Sequence, residues 1–582
     1  MTGNVFLSVF LLFTISFVKI RGNVIVNTSS GQVEGVELSS IIQNEKYYSF
    51  MGIPYAEPPV GPLRFMPPKP HPGWTGVLSA KKEKKPCAQF NLPVRHINDH
   101  GFCGDEDCLH LSVHTPKIDP DANYPVIVFI YSELHKISHN SSKDYGPDFF
   151  MNEGVIVVMV NHRLGSLGFL SFEDDLLPGN NALRDVILSL KWIKENIHNF
   201  GGDPYRVTLM GVQDGAGLVD VLLHSPKAKR LFSNVILQGG TSWASIYFPG
   251  KPRERAIEFS KVLEEDAKAS TVLLRRLSTV SASKLTENEH MAVHADEARA
   301  VQRGIVAFGP EVEHDHPDAI ISKLPEDGPI DIDVPVMIGY NSRDALEALG
   351  RYLYQPQYLT FADRDFVVLL PIRTGFYFKL RDNMYYHAMK EIKEHYFDEG
   401  YVKVSKPGEY ITYMTDILTF YAVDYTVRKY TNESKSDVFY YTFDYSGELN
   451  MRKKHVLSEA KTIEGTWGAT VGDDLCYLFV CKSIAKEYIK ALNDEDSEDI
   501  KVLKNMVRMW SNFAKTGNPT PTGDEVSWKP ATKENKECLV INEDPQIRTK
   551  LHDDRVTFWD TFIAKYKAMA DNGVVKDIKD EL

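Results

Sequence analysis

Cysteine is scarce. Six in 582 residues are too few for a disulfide scaffold, so stability must come from an apolar core. No Gly/Ser linker, low-complexity tract or internal repeat divides the chain, which excludes tethered modules and solenoids. Positive charge is in deficit, and a formal net charge of −13 argues against a nucleic-acid partner. After Val18 no apolar run is long enough to span a bilayer. What is present is ordinary globular material, 43% hydrophobic and 25% charged.

The two ends read as addresses. Val5–Val18 is a mostly apolar run that suits a signal-peptide core and is short for a membrane span, although Lys19 and Arg21 follow it and no Lys or Arg precedes it. The division expected is a signal peptide over 1–22, one folded domain over 23–570 and a tail over 571–582. The tail ends Lys579-Asp580-Glu581-Leu582, the retrieval signal of the endoplasmic reticulum. Sequons at Asn27, Asn140 and Asn432 agree with a lumenal glycoprotein, while Pro519 excludes Asn518. Lumenal residence and a retrieval receptor as partner are therefore expected.

Between the ends, strand and helix patterns alternate. Val24–Val26 and Gln32–Val36 read as strands around a turn. Tyr124–Tyr131, Gly154–Val160, Asn234–Gln238, Val334–Gly339 and Val438–Phe443 are apolar runs of the kind buried on both faces of a parallel sheet. From Asn180 to Phe200, Leu183, Val186, Ile187, Leu190, Ile193 and Ile197 recur on one helical face. The regions 255–284 and 366–396 read as helical insertions, and Arg555–Ala568 as an amphipathic helix offering a face for a homodimer. The proline-rich stretch from Phe50 to Phe65 reads as a rigid surface loop.

The central motif is Val207 to Gly217, VTLMGVQDGAG. An apolar strand runs into a glycine-flanked turn and leaves as an apolar helix. This is the pattern of a nucleophile elbow, Gly-x-Ser-x-Gly, which lifts a serine above an α/β-hydrolase sheet. Gly211 and Gly215 are in place, but Gln213 stands between them, and an amide cannot attack an acyl group.

Ordered blocks around this motif extend the pattern: Gly52-Ile-Pro-Tyr-Ala56 to Phe65, Glu106-Asp-Cys-Leu109, Asn161-His-Arg-Leu-Gly165, Asn199-Phe-Gly-Gly-Asp-Pro204 and Gly472-Asp-Asp-Leu475. With them the chain resembles the type-B carboxylesterase/cholinesterase family over nearly its whole length. The resemblance implies one α/β-hydrolase domain, a central mostly parallel mixed sheet flanked by helices, and a gorge above the elbow. It implies no cofactor and no metal. It places the catalytic histidine at Val471, the acid at Asp344 before Ala345, and the oxyanion block at Tyr131-Ser132-Glu133-Leu134 where active relatives carry a glycine run. Val471 cannot move a proton, and Glu133 puts a carboxylate where negative charge must gather. The resemblance also pairs Cys87 with Cys108, while Cys103, Cys476, Cys481 and Cys538 stay unassigned.

Other readings of these residues are weaker. Asp214 as nucleophile would slide the turn by one residue. His314 and His316 lack a third ligand for a metal. Ser242, in Gly240-Thr-Ser-Trp-Ala244, follows a different strand. The function expected is a catalytically inactive, esterase-like protein that binds a lumenal protein or assists folding. The alternatives are an active carboxylic ester hydrolase and a carrier of an apolar ligand in the gorge. Deleting Lys579–Leu582 should release the protein into the culture medium; equal retention of both forms on immunoblots would refute the address.

Overall fold

The apolar runs become neighbouring strands. In the computed structural model, residues 24–577 are described, except 42–44, 92–100, 266, 295–296, 298–299, 301, 305, 522–525 and 574. The expected signal peptide and the retrieval tetrapeptide lie outside these residues. One 13-stranded sheet organises the chain. Its parallel centre runs Ile156–Val160, Tyr124–Ser132, Gly202–Gln213, Asn234–Gln238, Val336–Asn341, Val438–Phe443 and Cys538–Ile541. Antiparallel strands close both flanks, with His110–Thr115 on one side and Gln546–Arg548 on the other. This is the mostly parallel mixed sheet expected.

The sheet is covered on both faces. Along Tyr124–Ser132, Val126, Val128 and Ile130 join one core, while Ile127, Phe129 and Tyr131 join the other. That period of two is why a continuous apolar run was needed. Helix Asn181–Asn196 buries the predicted face, including Leu183, Val186, Leu190 and Ile193.

Three expectations change. Phe50–Pro54 belongs to a strand, Lys46–Pro54, paired with Gly31–Ser39 and His110–Thr115. The prolines begin only at its last residue, so the earlier N–H groups remain free for the ladder. Region 255–284 falls into shorter helices, Pro252–Val262, Ser270–Leu277 and Ala282–Asn288. In region 366–396 only Asn383–Tyr396 forms a long helix, because Pro371 and Gly375 interrupt the first half.

The C-terminal helix, Asp553–Asp571, spends its apolar face inside the fold. Val556, Trp559, Phe562 and Tyr566 are buried, and Trp559 Nε1 donates to the Tyr396 hydroxyl at 2.7 Å. That face is not open for the homodimer expected of it. After this helix, Lys576–Asp577 pairs antiparallel with Phe376–Tyr377.

Asn27 and Asn432 are exposed. Asn140 is not: its amide donates to Tyr131 O (3.3 Å) and Ser138 Oγ (2.7 Å) and accepts from Tyr131 N (2.8 Å). Glycosylation there would break the hairpin-like turn that follows the central strand, so the expectation for Asn140 is withdrawn. Two disulfides form, Cys87–Cys108 as expected and Cys476–Cys481, which sequence had left open. Cys538 is buried in its strand. The Cys87–Cys108 bridge spans 21 residues, so Cys108→Ala should cost about 3 kcal/mol by loop-closure entropy, read from chemical denaturation.

Candidate functional site

The elbow is built as the glycines require. Gly202–Gln213 ends in Gln213 at φ 55° and ψ −124°, and helix Asp214–Leu223 starts at the next residue. This is positive-φ backbone that a side chain disfavours, costing about 1–3 kcal/mol. A Cβ on Gly211 would run into the backbone of Gly215 and Ala216, and one on Gly215 into Ile130 O. Strand and helix therefore approach closely only because both residues are glycine. Gln213 is buried, its carbonyl accepts from the Tyr247 hydroxyl at 3.1 Å, and its Nε2 has no hydrogen-bond partner.

Two other segments converge on it. A Cβ on Gly472 would lie 3.2 Å from Gln213 Nε2, which places the half-buried Val471 beside the elbow tip. Thr470 Oγ1 lies 3.5 Å from Asp344 O, so Asp344 sits behind the Val471 segment. The topology thus brings Gln213, the Thr470–Gly472 segment and Asp344 into one neighbourhood. Asp344 is buried; Asn341 N reaches its Oδ2 at 3.4 Å, and its Oδ1 has no partner. Burial and the nearby Asp474 carboxylate push Asp344 well above the ordinary carboxyl range.

The oxyanion block keeps a glycine-like course without glycines. Leu134 and His135 have φ of 49° and 53°. Its donors are already engaged. Glu133 N donates to Ile137 O at 2.8 Å, and Leu134 N donates to the Asp214 carboxylate. The carboxylate of Asp214 thus holds a donor that an oxyanion would need.

A charged network crosses the space above. Arg452 grips Glu347 through Nη1 (3.0 and 2.8 Å), and its Nη2 reaches Glu133 and the Tyr131 hydroxyl, both at 2.5 Å. Burial opposes the ionisation of Glu133 most strongly, but Arg452, His139 and the Tyr131 hydroxyl together outweigh it and hold the carboxyl below its usual range. For Glu347 burial wins over Arg452, and the carboxyl rises. A Cβ on Gly472 would lie 3.0 Å from Arg452 Nε, so the guanidinium stands against the Val471–Gly472 turn.

The carboxylesterase family model matches residues 22–559. The chain belongs to the carboxylesterase family. It is 30% identical over 533 residues to juvenile hormone esterase of Tribolium castaneum, covering 89% of this chain and 87% of that protein. It is 28% identical over 549 residues to esterase B1 of Culex pipiens, covering 92% and 97%. It is 26% identical over 569 residues to cholinesterase of Mus musculus, covering 94% and 88%.

Within this carboxylesterase fold the rival sites resolve. Gln213 holds the elbow tip, so Asp214 is the first residue of the helix. Ser242 is buried, and its N and Oγ both donate to Asp220 Oδ2 (2.8 and 2.7 Å), which locks it in a structural knot. His314 and His316 meet Asp175 (2.9 Å) and Glu313 (3.1 Å). Among the described residues no group of three or more His, Cys, Asp or Glu is placed to hold a metal ion. Sequence reasoning missed Arg452, Glu347 and the Asp214–Leu134 contact. A mostly buried Glu133 demands a cation, and that demand was the available signal.

Burial pushes Asp214 up to about 7 from an ordinary 3.8, with Glu133 adding to the rise and Leu134 N and Tyr247 opposing it. Between those values the folded chain holds a proton that the unfolded chain has released, so this contribution is complete below pH 3.8 and is lost as pH rises through 7. Asp214→Asn keeps an acceptor for Leu134 N and cannot ionise. Its stability relative to the parent should climb from pH 5 to pH 8, by about 2 kcal/mol after allowing for partial exposure. Parallel denaturation midpoints across that range would refute this assignment.

Proposed function

We propose that this chain keeps the carboxylesterase fold without ester hydrolysis and serves in the endoplasmic reticulum lumen as a binding or folding-assistance protein. The observation that carries the reading is Gln213 at the tip of an intact, strained elbow. The conformation that would present a nucleophile is kept, and the nucleophile is absent. Loss of one such group typically costs roughly 10⁴–10⁶ in turnover. Val471 removes the base as well, and the engaged N–H groups of Glu133 and Leu134 remove donors worth about 10²–10³.

The lumenal assignment rests on the apolar N-terminal run and on Lys579–Leu582. A hydrolase would need a base where Val471 stands. An apolar ligand in the former gorge would have to displace Glu133, Arg452 and Glu347, which costs several kcal/mol once a buried pair is broken. Affinity capture from lumenal extract, run beside a fluorophosphonate probe, tests the proposal. A defined protein partner without labelling supports it; labelling mapped to a serine beside Gln213 overturns it.

Repair offers a sharper test. Gln213→Ser with Val471→His should still turn over esters poorly, because Asp214 continues to hold Leu134 N. Adding Asp214→Ala frees that donor and removes a negative charge, so activity on short acyl esters should rise by roughly 10²-fold. Thermal melts must show that both variants fold equally. No gain from the third change would mean that the Asp214–Leu134 contact does not limit the oxyanion site.

A further inference from the structure

A cavity of about 470 Å³ lies between the Pro249–Lys251 turn, helix Pro252–Val262 and the Leu370–Tyr377 segment, and neither Gln213 nor Arg452 lines it. That volume is in the range of small-molecule sites. Leu370, Ile372 and Phe376 give it apolar walls, and three arginines, Arg255, Arg303 and Arg373, face it. Two of the three have an ion-pair partner. Arg255 forms a two-pronged pair with Glu297, both bonds 2.9 Å. Arg373 does the same with Glu326 (2.6 and 2.7 Å), and its Nη1 also reaches the carbonyls of Ser242 and Ala244.

Arg303 differs. Its Nη2 donates to Pro249 O at 3.1 Å, and among the described residues it has no ion-pair partner. Burial and the guanidinium of Arg373 lower it to about 10, with Arg255 adding to the fall and Glu311 and Glu297 opposing it. Glu311 does not neutralise it: burial raises that carboxyl to about 8, against the pull of Arg255 and Arg303, so near pH 7 it is mostly protonated. Lys251, Glu254 and Glu258 stand exposed at the mouth, where water screens them. A mostly buried cation without an anion, facing a cavity with apolar walls, is unfavourable until an anion arrives.

We propose that this cavity binds an amphipathic carboxylate, an apolar chain ending in one carboxyl group, with that group paired to Arg303. A guanidinium presents a planar fork that matches a carboxylate. With Arg255 and Arg373 each paired to a carboxylate, Arg303 leaves a single positive charge to balance, which favours a monoanion over a phosphate monoester. The site is separate from the elbow and does not depend on whether the elbow is catalytic.

The test uses the full mature chain, stripped of bound lipid, and titrates it with cis-parinaric acid, a fluorescent long-chain polyene acid, and with its methyl ester. The acid should bind with enhanced fluorescence, and the ester at least about tenfold more weakly, since only the acid can pair with Arg303. Arg303→Gln should raise the Kd for the acid by a similar factor with an unchanged melting temperature. If that variant does not fold, the acid–ester comparison on the parent chain decides alone. No binding of the acid, equal affinity for acid and ester, or a folded Arg303→Gln variant that binds like the parent would each overturn the proposal.

Discussion

Everything at the centre of this molecule depends on how closely a helix can follow a strand. The approach of Asp214–Leu223 to the end of Gly202–Gln213 is possible only where Gly211 lacks a side chain, Gly215 lets the same helix pass Ile130 of the neighbouring strand, and the turn holds Gln213 at positive φ. That turn sets where Tyr247 can pack, since the side chain lies over Gly217 and Gly240. It also sets which carboxylate meets Leu134. The strain at Gln213 costs stability. It persists because the strand, the helix and Tyr247 together over-determine the backbone.

Around this turn, polar groups are tied into one set of contacts. Glu133, Arg452 and Glu347 bridge three segments far apart in sequence: the end of a central strand, a short helix over Met451–Leu457, and the helical turn that begins at Asp344. A lone carboxylate at Glu133 would be expensive in this place, and Arg452 makes it tolerable. The network and the Asp214–Leu134 contact cross-link the segments that meet around the elbow.

The sheet was legible in the sequence because its central strands are continuous apolar runs, a signal few other structures produce. Lys46–Pro54 was misread because a cluster of prolines at its end dominated the local pattern. Cys538–Ile541 was missed because it is short and flanked by charged residues, so nothing local separates it from a loop. At the site, the positions of Gln213, Val471 and Asp344 followed from ordered motifs. Arg452 did not, since within Met-Arg-Lys-Lys-His it reads as one more solvated base. Its role depends on neighbours some hundred to three hundred residues away, 105 for Glu347 and 319 for Glu133, and no window of sequence contains them.

The short pairing of Lys576–Asp577 with Phe376–Tyr377 has a geometric consequence. Backbone hydrogen bonds pin the chain at Asp577, and Leu582 is five residues further on. Fully extended, they reach roughly 18 Å from the pinned strand. On the lumenal reading proposed above, a receptor that recognises Lys579–Leu582 from the membrane would come almost to the protein surface, with the Phe376–Tyr377 side of the body turned toward the bilayer.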